Sequence, residues 1–241
     1  MQHTGPETLS DRLDAIRERI LRACQRAGRS PDSVTLIGVT KTFPIEDILE
    51  AREAGLRHFG ENKVQELVSK AAQLPGHVEG GDVYWHMIGH LQRNKAKEVV
   101  RRADLFHGLD SLRLAEELDK RAAQVGRVLP CLVQVNVSGE ESKSGVEPGK
   151  TYDLLRELAA FQHIQVRGLM TIAEPVDDPE KVRPQFRLLR TLFEGYTPES
   201  GAGDTWAYLS MGMSSDFEVA IEEGATHVRI GSAIFGSRSY P

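Results

Sequence analysis

The chain has 241 residues, 40% hydrophobic and 27% charged, enough for a large core in one or two domains of ordinary globular composition. A formal net charge of −5 argues against a general nucleic-acid binder. Two distant cysteines, Cys24 and Cys131, form neither a disulfide framework nor a zinc motif, no stretch approaches the length of a membrane-spanning helix, and the opening MQHTGPETLSDRL is no secretory signal. The expectation is a cytosolic protein.

In chain order, Leu9, Leu13, Ile16, Ile20 and Cys24 recur at helical spacing, which predicts an amphipathic helix over about 9–27, stopped at Gly28. Short β-branched and apolar runs then alternate with helical patterns. The strands expected are Val34–Val39, His58–Gly60, Val83–Gly89, Leu105–Gly108, Pro130–Val137, Val166–Met170, Trp206–Ser210 and His227–Ile230. The helices expected between them are Ile45–Ala54, Lys63–Ala72, Leu91–Arg102, Leu112–Gln124, Lys150–Phe161 and Pro179–Phe193. Eight strands, each followed by a helix, predict an α/β fold of the (β/α)8 TIM-barrel type, with 1–241 as one domain and an extra N-terminal helix. A doubly wound sheet gives the same alternation. The count of eight favours the barrel, as does the lack of a G-x-G-x-x-G turn after the first strand. The loops Gly76–Asp82 and Thr197–Thr205 sit inside the alternation and read as surface loops.

Lys41 stands at the carboxyl end of the first strand, where α/β folds keep their active sites. Pro44, Glu46 and Asp47 mark a helix start just beyond it. A partly buried amine there is placed to attack an aldehyde. The other strand ends supply Glu61 and Asn62, His86 with Gly89 and His90, Asn136 with Lys143, Met170 with Thr171, and two loops rich in glycine and serine. Those loops, Ser210–Ser214 and Gly231–Ser232, occupy the barrel's usual phosphate position. Ser215 and Glu218 fit a capping box, with Gly224 ending that helix. A bland reading, in which the glycines only turn the chain and the serines only cap, competes for each loop singly. Arg229 shares parity with Gly231, so its guanidinium needs a partner, either a barrel carboxylate or a ligand atom. His86 and His90 flank a strand end with no third ligand, which argues against a metal. The basic run Arg93 to Arg102 reads as a solvated helix face with Val99 and Val100 inward.

Six segments in order carry a resemblance: Val39-Thr40-Lys41-Thr42, Phe59-Gly60-Glu61-Asn62, WHMIGHLQRNK from Trp85, VNVSGEESKSG from Val135, SMGMSSDFEVAI from Ser210 and VRIGSAIFG from Val228. Together they span nearly the whole chain, and the chain resembles the pyridoxal phosphate homeostasis protein family. The resemblance implies the barrel of the alanine racemase N-terminal domain and a pyridoxal 5'-phosphate cofactor held by Lys41 as an internal aldimine. It implies that Ser214, Gly231 and Ser232 hold the phosphate and that Arg229 faces the pyridine nitrogen. Asn62, His86 and Met170 would line the pocket, and Lys143 would hand over or receive the cofactor.

Arginine at the pyridine nitrogen weakens the ring as an electron sink, and racemisation needs a second acid/base on the opposite face. In the related racemases that group comes from a second domain, which is not expected here. The reading is therefore a non-catalytic carrier that stores, protects and delivers pyridoxal phosphate to apoenzymes, and is expected to be a monomer. The rivals are a weak amino-acid racemase and a Schiff-base aldolase acting on a phosphosugar.

Overall fold

The structure, a computed structural model, describes residues 8–139, 144–198 and 205–236. Eight parallel strands close into a barrel in sequence order. They are β1 (Thr35–Val39), β2 (His58–Glu61), β3 (Tyr84–Met87), β4 (Leu105–Leu109), β5 (Leu129–Gln134), β6 (Ile164–Met170), β7 (Tyr208–Ser210) and β8 (His227–Ile230). β1 closes on β8 with Ile37 opposite Arg229 and Gly38 opposite Ile230. Ahead of β1 lies α1 (Leu9–Arg26); the strands are followed in turn by α2 (Ile45–Glu53), α3 (Val64–Ala71), α4 (Ala96–Arg102), α5 (Leu112–Gln124), α6 (Thr151–Leu158), α7 (Arg183–Glu194), α8 (Phe217–Glu222) and α9 (Ser232–Phe235). This is the (β/α)8 architecture expected from the alternation, with the expected extra helix.

The boundaries differ where local chemistry competes with apolar periodicity. Residues 91–95 do not continue α4 backwards: Arg93–Lys95 form a tight 3-10 turn, and the helix proper opens at Ala96. Arg183–Glu194 is likewise preceded by a 3-10 turn over Pro179–Val182, whose entry is capped by the Asp178 carboxylate on the Glu180 N–H at 3.0 Å. The expected Ser215/Glu218 capping box does not form. Asp216 opens α8 and turns its carboxylate back onto the Met213 N–H at 2.6 Å, while Glu218 pairs with Arg19 of α1 at 3.1 Å. Gly28 and Gly224 do end their helices, each in the left-handed conformation that glycine enters without a Cβ penalty.

The main apolar core lies between the strands and the helical ring. Trp85, Phe59, Phe106, Phe186 and Phe217 are fully buried there, and Trp85 Nε1 donates to the Leu74 carbonyl at 2.9 Å. Burying aromatic surface of this size is worth several kcal/mol per ring, on the order of the 3–5 kcal/mol lost on truncation to alanine. α1 fastens across the closing seam of the barrel. Arg12 donates to the Ile234 carbonyl at 2.7 Å, Arg26 pairs with Glu222 at 2.6 Å, and the Arg19 guanidinium lies 4.5 Å over the Phe217 ring.

The barrel interior is filled differently. Leu105, Leu132 and Met170 form a separate small apolar group with Tyr208 against it. Beside them sit His86, His107, Ser210, His227 and Arg229, all buried. Barrel interiors are usually layers of Val, Ile and Leu. Here much of the interior is a hydrogen-bonded polar stack.

Candidate functional site

At the carboxyl end of the strands lies a cavity of about 250 Å³ lined by Val39, Lys41, Asn62, Ile88, Ile172, Met213, Ser214, Arg229, Gly231 and Ser232. Six of the residues expected at the site therefore meet in one hollow: Lys41, Asn62, Ser214, Arg229, Gly231 and Ser232. A second hollow of about 240 Å³ shares Asn62, Ile88 and Ile172 with the first and extends toward His90, Gln134, Asn136 and Ser144.

Lys41 follows β1 by two residues, in a turn held from both sides. The Thr40 hydroxyl donates to Glu61 Oε1 at 2.6 Å, and Lys70 Nζ donates to the Thr40 carbonyl at 2.7 Å. On the other side the Thr42 N–H donates to Glu66 Oε2 at 2.6 Å, and Thr42 takes φ 69°, a left-handed conformation unfavourable for a β-branched residue. Lys70 also pairs with Glu61 at 2.7 Å and Glu66 at 3.1 Å. Burial pushes the Glu61 carboxyl up, and Lys70 and the Thr40 hydroxyl pull it partway back. Burial works against the Glu66 carboxylate as well, but the Thr42 N–H and Lys70 outweigh it and hold it below its usual range. Glu66 and Lys70 lie four apart on α3, the spacing that puts both on one helix face. From sequence that spacing suggests an exposed surface pair; in the fold Lys70 is turned inward and buried.

Arg229 is 4% exposed. It donates through Nη1 to Ser210 Oγ at 2.6 Å and through Nη2 to the Thr171 carbonyl at 2.7 Å. Among the described residues no carboxylate lies within the 4.0 Å of an ion pair with it, so the alternative of a barrel carboxylate partner is not what the fold adopts. Burial pushes the guanidinium down to about 10, partly offset by the Asp216 charge, and it stays cationic at neutral pH. A guanidinium carries five N–H donors. Two are spent inside the barrel, and the residue also lines the cavity.

The two glycine-serine loops are not alike. At Gly212, φ is 93° and a Cβ would lie 2.6 Å from Ala220 Cβ and 2.9 Å from Phe217 Cα. The glycine there lets the loop pack on α8, rather than giving a ligand access as its sequence setting suggests. Gly231 opens α9, and its N–H-bearing first turn borders the cavity with the Ser232 and Ser214 hydroxyls. Gly89 has a comparable packing role at the mouth, since a Cβ would fall 2.2 Å from the Asn62 carbonyl oxygen.

His86 and Met170 do not line the cavity. Both project into the barrel interior below it: His86 between His58 and His107, Met170 against Leu105 and Leu132. Strand parity marks them as inward-facing but cannot give their depth along the axis. His90 borders the second hollow and does not share a partner with His86. Among the described residues no group of three or more His, Cys, Asp or Glu is arranged to hold a metal. Lys143 lies outside the described residues.

The alanine racemase N-terminal domain model matches residues 12–239. A protein of Aquifex aeolicus named pyridoxal phosphate homeostasis protein is 46% identical over 230 residues, covering 95% of this chain and 98% of its own. The chain belongs to the pyridoxal phosphate homeostasis protein family. An Escherichia coli K12 protein of the same name is 42% identical, with 96% and 97% covered. Among solved structures, PipY of Synechococcus elongatus PCC7942, described as having PLP bound, superposes with a TM-score of 0.76 at 36% identity, covering 95% of this chain and all of that one. PipY thus shares the barrel over nearly the whole of this chain.

Proposed function

We propose that this protein binds pyridoxal 5'-phosphate at the carboxyl-terminal mouth of the barrel and serves as a reversible carrier that stores, shields and delivers it. The observation that carries the reading is the convergence on one cavity of an amine, a buried guanidinium and a rim of glycine and serine. These groups match the three polar ends of the cofactor in kind. Lys41 offers an amine for the aldehyde, with loss of water on condensation. Ser214, Gly231 and Ser232 offer hydroxyl and N–H donors for a phosphate. Arg229 offers N–H donors for the ring nitrogen, and Asn62 borders both hollows.

When bound, the cofactor supplies an aldehyde and an electron-accepting ring. The chain restrains what that ring can do. Arg229 donates hydrogen bonds but does not release its proton at working pH, so it cannot protonate the pyridine nitrogen as an acid would. Among the described cavity residues, Lys41 is the one side chain suited to acid/base work; the others are Asn, Ser, Arg, Gly and apolar groups. A racemase needs two such groups on opposite faces. Both points support storage over turnover. The buried thiols of Cys24 and Cys131 suit a reducing cytosol, where apoenzymes would receive the cofactor.

The test is transfer. Loaded protein mixed with an apo form of a pyridoxal-phosphate enzyme should restore that enzyme's activity, with loss of visible absorbance from the carrier. Steady amino-acid racemisation by loaded protein at rates typical of enzymes, lost in Lys41→Ala, would replace the carrier by an enzyme.

A further inference from the structure

A continuous line of hydrogen bonds runs along the barrel interior, from its amino-terminal mouth to Arg229. His58 Nδ1 lies 2.9 Å from His86 Nε2; His86 Nδ1 lies 3.0 Å from His107 Nε2; His107 Nδ1 lies 2.9 Å from Ser210 Oγ; and Arg229 Nη1 donates to that same Ser210 Oγ at 2.6 Å. The members come from β2, β3, β4, β7 and β8. His86 and His107 are buried within the barrel. Burial, with neighbouring histidines adding to it, holds His86 well below the ordinary imidazole range, burial does the same for His107, and burial brings His58 to about 4. All three rings are neutral at working pH, so each carries one N–H and one bare nitrogen.

The polarity of this line follows from one end. A guanidinium only donates, so Ser210 Oγ must accept from Arg229. The serine's own proton then has one further partner among the described residues, His107 Nδ1. That nitrogen must be bare, which puts the His107 proton on Nε2, aimed at His86 Nδ1. The same step gives His86 an Nε2–H aimed at His58 Nδ1, and His58 an Nε2–H at the amino-terminal mouth. Reversing any link would set two donors face to face or leave the buried Ser210 proton unpaired, and an unmet buried polar group is costly.

We propose that Ser210, His107, His86 and His58 are positioning residues for Arg229, forming an oriented relay that presents a lone pair to its guanidinium and fixes the plane in which its remaining N–H groups meet a ligand in the cavity. At its cavity end the inference rests on the proposed role of Arg229 toward the cofactor. The relay's polarity is independent of any cofactor. The arrangement explains why a barrel interior normally filled with aliphatic layers carries this stack.

Two measurements test it on the full chain. In ¹⁵N-labelled cofactor-free protein, long-range imidazole spectra should show His58, His86 and His107 all as the neutral Nε2–H form. An Nδ1–H form or an imidazolium at any of the three at neutral pH overturns the relay. In the second measurement, pyridoxal phosphate is titrated into variants. Ser210→Ala, which removes the acceptor of one charge-assisted hydrogen bond from Arg229, should weaken binding about tenfold. His107→Leu, which leaves the Ser210 proton without its partner and the hydroxyl unoriented, should weaken it in the same direction, and both should shift the visible band of the bound cofactor. His107→Gln, whose amide can accept from Ser210 and donate to His86, should restore both affinity and band position. Lower thermal stability in Ser210→Ala and His107→Leu with wild-type affinity and band position would make the stack merely structural and overturn the proposal. Should wild type bind no cofactor, the function proposed above fails while the tautomer result still decides the relay's polarity.

Discussion

Lys70 Nζ donates to the carbonyl oxygen of Thr40 at 2.7 Å, so a lysine on α3 holds the residue immediately before Lys41. The same ammonium is paired with Glu61, whose side chain is fully buried. The turn that presents Lys41 is thus anchored by a buried ion pair.

Removing Lys70 strands that carboxylate. Lys70→Met should cost about 3 kcal/mol, the scale for breaking a buried pair, and the cost should depend on pH. Burial already raises the Glu61 carboxyl above its ordinary 4.5, and loss of Lys70 raises it further. A carboxyl with a raised folded pKa binds its proton more tightly folded than unfolded, so its stability contribution is present at low pH and lost as pH rises past about 4.5 toward the folded value. Urea melts should therefore show a larger deficit for Lys70→Met at pH 8 than at pH 5, and Glu61→Gln added to it should recover part of the loss. A deficit independent of pH would contradict this account of Glu61.

On the outer wall the sign reverses. Burial opposes the Glu222 and Glu223 carboxylates, yet Arg183 with Arg26, and Arg187 with Arg183, outweigh it and hold both below the ordinary range. Their contribution is present above about 4.5 and lost as pH falls through the folded values. Glu223→Gln should lower stability at pH 7 and flatten the acid limb of the stability profile, read by thermal melts between pH 3 and pH 7 in steps of about one unit.

Two glycines should respond differently to a methyl group. At Gly28 φ is 65° with open space around it, so Gly28→Ala should cost only the conformational penalty, about 1 kcal/mol. At Gly89 the added Cβ meets the Asn62 carbonyl oxygen at 2.2 Å, which forces the β2 and β3 ends apart. Gly89→Ala should destabilise by at least about 2–3 kcal/mol and weaken cofactor binding at the same mouth. Equal small effects in denaturant melts would contradict the packing given to Gly89.

The barrel was legible because eight short strand-like runs alternate with helical patterns, and those eight runs lie where the eight strands form. Lys41, Ser214, Gly231 and Ser232 were legible for a related reason: the carboxyl ends of strands converge, so residues distant in sequence could be placed on one face. Depth along the barrel axis was not legible. His86 and Met170 point inward as parity requires, but they lie beneath the cavity. Nor was the Lys41 anchor, since Glu66 and Lys70 at four-residue spacing look like any solvated helix pair. The relay through His58, His86, His107 and Ser210 draws one residue from each of four strands, and no local pattern connects them. The Ser215 and Glu218 pattern misled because Asp216, one residue on, serves the Met213 N–H instead.

The phosphate role proposed for Ser214 and Ser232 predicts a loss selective for the phosphorylated ligand. Ser214→Ala and Ser232→Ala should each weaken pyridoxal phosphate binding by about tenfold, the loss of one hydrogen bond to a charged group, and should hardly affect pyridoxal, which lacks the phosphate. Equal weakening for both ligands, measured by titration, would remove these serines from the phosphate end.

In the proposed function, Lys41 holds the cofactor covalently in this cavity. The direct measurement is the visible absorption spectrum of purified protein after addition of pyridoxal phosphate, beside Lys41→Ala under the same conditions. Wild type should show a yellow band that borohydride bleaches, with a single lysine modified at position 41, and the variant should show no such band. A wild type that stays colourless, or a variant that yellows equally, would contradict it.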